Sequence, residues 1–144
     1  MKTTVEQIKI LVPQSVRKGK VGDFETYCVS YSELTDLFGE NLLEVRDNDY
    51  QGDTRIILRG PDGRIGWLQF GWGSCSGCDA LQACDSFEAL AELFDRLRDG
   101  IKWGTAAELL EFFNTHDWEG DYSWHAEEQT EFVTKAKELL SKLA

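Results

Sequence analysis

The sequence predicts an α+β domain: a small antiparallel β-meander of about three strands packed against C-terminal helices, with a short N-terminal helix. Three observations predict it. Residues 42–72 hold three short runs rich in β-branched and aromatic side chains, joined by links too short for a parallel crossover. From residue 86 onward the apolar residues recur at helical spacing. The chain has 144 residues and an apolar fraction of 42%, enough to bury one core without disulfides or metal. A single domain over 1–144 is therefore expected.

Each element has a local reason. Thr3-x-x-Glu6 reads as a capping box that opens a short helix running to about Val12, where Pro13 stops it. The β-branched run IKILV keeps a strand as the rival. Residues 14–23 (QSVRKGKVGD) read as a basic loop and 24–29 (FETYCV) as a short strand. Ser30-x-x-Glu33 opens another helix, with Leu34, Leu37 and Phe38 inward and Gly39 as the stop. LLEVRD (42–47), TRIILRG (54–60) and RIGWLQFGW (64–72) are the strands. Pro61, Asp62 and Gly63 supply the tight turn between the last two. Ile56, Leu58, Ile65, Trp67 and Phe70 form the expected buried set, although Trp67 to Phe70 departs from strict alternation. Asp85 and Glu88 frame a helix with Phe87, Leu90, Leu93, Phe94 and Leu97 on one side. Thr105-x-x-Glu108 caps a second, with Ala106, Leu109, Leu110 and Phe113 inward. After a loop over 116–124, a last helix carries Phe132, Val133, Ala136, Leu139, Leu140 and Leu143, and its Lys-rich end suits the helix dipole.

Charge narrows the function. The net charge is −11, unevenly spread. Residues 1–20 hold five Lys/Arg against the single Glu6, for +4; residues 21–144 hold ten against 25 acids, for −15. Between Lys102 and Lys135 there is no basic residue, while eight acids occur: Glu108, Glu111, Asp117, Glu119, Asp121, Glu127, Glu128 and Glu131. Such a surface repels phosphate backbones, so direct nucleic-acid binding is not expected. It suits a basic protein partner instead. No apolar run is long enough to span a bilayer, and the N-terminus lacks the apolar stretch and cleavage site of a signal peptide. A cytoplasmic location is expected, with reduced cysteines.

The stretch FGWGSCSGCDALQAC (70–84) carries the first candidate chemistry. Cys75 and Cys78 have the spacing of half a zinc site. A complete site needs two more ligands, and the remaining Cys and His residues (Cys28, Cys84, His116, His125) form no second close pair. A strand, a Cys-x-x-Cys and a helix also resemble the active-site turn of thioredoxin-like proteins, which would make Cys75 a nucleophile and Cys78 a resolving thiol. That fold places a cis-proline opposite the pair, and no proline follows Pro61 here. A third reading is a nest of backbone N–H groups from Gly71, Gly73, Ser74, Ser76 and Gly77 for a small anion or polar ligand. The bland reading is a Gly-rich corner in which the cysteines pack as small apolar residues.

The second candidate is HDWEGDYSWH (116–125). Asp117, Trp118, Glu119, Asp121, Tyr122 and Trp124, with Glu127 and Glu128 just beyond, combine rigid aromatic anchors with carboxylates that steer a basic partner. The bland reading makes Trp118 and Trp124 plugs between two helices. No nucleophile or metal motif accompanies the histidines, which points away from catalysis. The segment Asp47-x-Asp49-x-Gln51-Gly52-Asp53 mimics the start of a calcium loop, but its twelfth position is Leu58 rather than Glu, so Asp and Gly read as turn formers.

Together FGWGSCSGCDALQAC and DWEGDYSWHAEEQTEFVTKAKELL resemble a family of small, uncharacterised phage and mobile-element proteins sharing a GSCSGCD turn and a DWEG-x-Y-x-W segment before a last helix. The resemblance covers residues 64–143. It implies a setting, conflict with or takeover of a host cell, and no mechanism. Two functions follow as expectations. One is a non-enzymatic acidic binding protein that inhibits a basic host protein, such as a nucleic-acid-handling defence component. The other is a small-ligand or metal-binding domain, with zinc as the candidate metal. It would use Ser74, Cys75, Ser76, Cys78 and Asp79 opposite Trp118, Trp124 and His125.

Overall fold

The computed structural model describes residues 2–12, 30–75, 77, 79–121 and 125–144. The expected basic loop at 14–23 and strand at 24–29 lie outside them. In order the elements are α1 (Val5–Leu11), α2 (Tyr31–Thr35), β1 (Glu40–Arg46), β2 (Gly52–Arg59), β3 (Ile65–Trp72), α3 (Phe87–Asp99), β4 (Lys102–Gly104), α4 (Ala106–Thr115) and α5 (Ala126–Leu143). They form two compact units: Met1–Phe38 with Trp72–Gly100, and Gly39–Gly71 with Ile101–Ala144.

The first unit packs α1, α2 and α3. IKILV falls in a helix, not a strand. Its capping box lies one residue later than the spacing suggested: Thr4 accepts from the Gln7 N–H, and the Gln7 side chain returns a bond to the Thr4 backbone. This leaves Thr3 to tie the helix down. Its N–H and hydroxyl both donate to Asp95 on α3, and Arg98 donates to the same hydroxyl. Burial pulls the Asp95 carboxyl up, but the Thr3 bonds and Arg98 more than offset it and hold it below the usual range. Ser30 and Glu33 cap α2 reciprocally. Helix α3 is capped by Ser86, which accepts from the Ala89 N–H, rather than by Asp85. Ile8, Leu34 and Leu90 are fully buried, and the Phe38 and Phe94 rings lie 4.9 Å apart, tilted by 34°. Leu37, expected inside, is 38% exposed: α2 ends at Thr35, so the helical register that would turn Leu37 inward does not reach it.

The second unit is a sheet with two helices. The strand order is β1-β2-β3-β4 and the sheet is antiparallel. The fourth strand, absent from the sequence reading, pairs Ile65↔Gly104, Gly66↔Trp103 and Trp67↔Lys102. Three residues are too few for a period-2 pattern to show. The turn behaves as expected: Gly63 sits at φ 87°, and the Gly60 N–H donates to Arg64 O at 2.8 Å.

Register decides which side chains meet. Leu43 pairs with Ile57 and Val45 with Arg55, and the Asp47 N–H donates to Asp53 O. Side chains of paired residues share a face, so Leu43, Val45 and Asp47 form one row and Ile57, Arg55 and Asp53 the facing one. The apolar part of these rows joins Ile65, Leu109, Phe113, Phe132, Val133, Ala136 and Leu140 in the core of the unit. Ile57, not anticipated as buried, therefore faces the helices, while Ile56 and Leu58 on the opposite face are buried too. Phe70 is only half-buried.

Candidate functional site

In the first unit the turn after β3 is organised by Asp79. Its Oδ1 accepts from the Tyr31 hydroxyl (2.8 Å), Leu81 N–H (2.8 Å) and Gln82 N–H (3.2 Å), and its Oδ2 from Gly73 N–H (3.0 Å). The Gln82 side chain ties back to Gly73 O. A carboxylate surrounded this way is structural, with its acceptor capacity taken up by the turn itself. Burial first, then the bond to Asp79, pushes the Tyr31 hydroxyl above the usual tyrosine range. Cys84 is buried, its Sγ donates to Ala80 O, and burial raises its thiol. Ser74 and Cys75 are exposed. Ser76 and Cys78 lie outside the described residues, as does Cys28. Ser74, Cys75 and Asp79 belong to the first unit, Trp118 and His125 to the second.

In the second unit the loop after α4 turns on Trp118. Its Nε1 donates to Phe113 O at 2.8 Å, and its ring lies 5.1 Å from Phe113, 5.7 Å from Trp67 and 4.5 Å from His116. Trp118 is thus half-buried in an aromatic cluster. His116 Nε2 meets Asp121 Oδ2 at 2.8 Å and fastens the loop, and Asp117 accepts from the Gly120 N–H. Tyr122 and Trp124 lie outside the described residues.

One edge of Trp118 lines a groove of about 690 Å³ along α5. Ala126, Gln129, Thr130, Val133, Thr134 and Lys137 form its helical wall, and Glu119, Gly120 and Asp121 its other lip. The α5 residues fall at positions i, i+3, i+4, i+7, i+8 and i+11, a single stripe of the helix. It runs about 16 Å at 1.5 Å per residue. Asp117, Glu119, Asp121 and Glu127 are exposed, whereas Glu128 is half-buried. Acids therefore crowd one end of the stripe and Lys137 stands at the other.

A third constellation was not anticipated. Asp47 and Arg55 occupy the inward rows of the β1–β2 hairpin where apolar residues are expected, with side chains 0% and 2% exposed. Arg55 Nη1 donates to Asp47 Oδ1 at 2.7 Å, and the Asp53 N–H donates to Asp47 Oδ2 at 2.7 Å. So Asp47 closes the hairpin, as the turn-former reading of this segment held. Gly52 lets the chain pass: a Cβ there would lie 2.5 Å from that of Asp47. His125, the N-cap residue of α5, meets this pair with Nε2 3.9 Å from Asp47 Oδ2 and 3.6 Å from Asp49 Oδ2, and Nδ1 3.8 Å from Glu128 Oε2. The signal was present in the sequence, since continuing the alternation Leu43, Val45 lands on Asp47. The partnership with His125 was not.

Comparison with protein-family models, with curated proteins and with solved structures finds no match for this chain. Among the described residues, no helix is long and apolar enough to cross a membrane.

Proposed function

We propose that the chain is a non-enzymatic acidic binding domain that takes up an amphipathic, basic segment of a partner protein beside α5. The observation that supports it is the charge-graded groove. Its floor offers Trp118 and Val133, its lip Glu119 and Asp121, and its far end Lys137. A mixed stripe about three turns long, with Ala126 and Val133 as its apolar members, accommodates an amphipathic helix laid along it. The carboxylates steer and orient the basic end of that helix, and Lys137 disfavours the reversed orientation. The sequence resemblance to phage and mobile-element proteins supports reading that partner as a host-cell protein, inhibited when its basic functional surface is occupied. Nucleic-acid-handling defence proteins have basic surfaces of this kind.

The test is capture from host lysate at low and high salt, with three immobilised proteins: wild type, Thr130→Arg and Glu119→Lys/Asp121→Lys. All three substituted residues are exposed, and because Asp121 also holds His116, circular dichroism checks that each variant keeps the fold. The expected outcome is a salt-sensitive partner retained by wild type and lost from both variants. Equal retention by Thr130→Arg would show that the groove is not the contact, and an empty wild-type eluate at low salt would refute the reading.

A further inference from the structure

We propose that the α5 groove is also where two copies of this chain meet, as an antiparallel α5–α5 pair about a two-fold axis. The inference rests on the reading of this groove as a contact surface, and it names what occupies the groove when no other partner does.

Unpaired charge carries the first part. On α5, Lys135 and Lys142 pair with Glu131 and Glu138 one turn earlier, at 3.4 Å each. Among the described residues, neither Lys137 nor Glu119 has an ion-pair partner. Both line the groove, Glu119 on its acidic lip and Lys137 at its far end. Asp121, the other acid of the lip, is already held by His116. A two-fold axis across the groove sets Glu119 of each copy against Lys137 of the other, so one contact pairs all four charges. A parallel pair would set Lys137 against Lys137 and Glu119 against Glu119. The antiparallel pair also brings opposite ends of the helix dipoles together.

The stripe carries the second. Turned about its own midpoint, it places Ala126 beside Lys137, Gln129 beside Thr134 and Thr130 beside Val133. Each meeting is chemically matched. The small Ala126 leaves room for the stem of the second copy's Lys137 on its way to the lip. The Gln129 Nε2 donates to Trp118 O, which leaves its carbonyl oxygen for the Thr134 hydroxyl. The Thr130 methyl group meets Val133. Ala126, Thr130 and Thr134 are all exposed, and their short side chains let two helix axes approach to about 8–10 Å.

The net charge of −11 on each copy opposes association. Exposed charges more than about 8 Å apart are largely screened at physiological salt, so the pairs in direct contact decide. A contact of about three helical turns is small against the roughly 1,200–2,000 Å² of a stable interface. The dimer is therefore one that exchanges. A second copy and a basic segment cannot share the groove, so self-association regulates it: a partner must displace the second copy, and dilution opens the groove.

The test is sedimentation equilibrium of the full chain at physiological salt, in reductant so that no intermolecular disulfide forms. Wild type is expected to show a monomer–dimer equilibrium across the micromolar range. Glu119→Lys and Lys137→Glu should each weaken dimerisation by about tenfold or more, since like charges then face each other at both ends. Mixing these two variants in equal amounts, or combining both changes in one chain, should restore it, because each end again brings a Lys to a Glu. Circular dichroism checks the fold of every variant. Glu119 and Thr134 are exposed, so Glu119→Lys and Thr134→Arg decide the matter if Lys137→Glu does not fold. A wild type that stays monomeric overturns the inference and leaves partner capture untouched, whereas an empty lysate eluate strikes the partner reading and leaves the dimer. Dimers that persist in the single variants, or that fail to return on charge exchange, also overturn it.

Discussion

Replacing Asp79 by alanine tests what the Cys-x-x-Cys turn is for. Four donors converge on this carboxylate, and the bonds from two of them, the Gly73 and Leu81 N–H groups, are buried. A buried donor left without a partner costs about 1–3 kcal/mol. The Tyr31 hydroxyl lies 3.1 Å from the Leu81 N–H and recovers part of that bond. The expected loss is thus ~2–5 kcal/mol, a large share of the ~5–15 kcal/mol that holds an ordinary domain together. Asp79→Asn is milder. It keeps one carbonyl for the three donors on Oδ1 and turns an amide toward the Gly73 N–H, donor against donor, for about 1–3 kcal/mol. Tyr31→Phe removes two bonds, the one donated to Asp79 and the one accepted from the Leu81 N–H, and its coupling to Asp79→Ala should be ~0.5–3 kcal/mol in a double-mutant cycle. Urea unfolding followed by circular dichroism, in reductant, measures all four proteins. An Asp79→Ala variant within about 0.5 kcal/mol of wild type would refute the claim that this carboxylate builds the turn. The turn would then be free to present its polar groups to a ligand.

Three further outcomes are expected. Arg55→Met strands a buried Asp47 carboxylate and should cost about 3–5 kcal/mol by urea unfolding in chelator, whereas Asp47→Leu/Arg55→Met together should recover most of it. Stability should fall with rising pH above about pH 10, where the unfolded chain releases the Tyr31 proton and the native state, with its hydroxyl raised, retains it. Tyr31→Phe should lose that part of the slope, and parallel curves for the two proteins would contradict it. Gly52→Ala drives a methyl group to 2.5 Å from the Asp47 Cβ. It should cost about 1–3 kcal/mol in thermal unfolding, unless the hairpin opens with no loss.

The sequence by itself determined whatever depends on neighbours along the chain. Capping pairs such as Ser30/Glu33 and Thr105/Glu108 mark helix starts because the bonds span three residues. The turn at Pro61–Gly63 is legible because only certain residues tolerate its angles. Alternation and helical spacing show the sheet and the last three helices, and charge counting shows the acidic C-terminal half. Where local signals compete, the result shifts by a residue, as with Thr4 for Thr3 and Ser86 for Asp85. What tertiary structure alone decided lies between residues far apart in the chain. Strand β4 exists only because β3 offers it an edge. Tyr31 reaches Asp79 across 48 positions, and His125 meets Asp47 across 78. No spacing rule records such meetings, because they follow from how strand register and helix packing close the chain on itself.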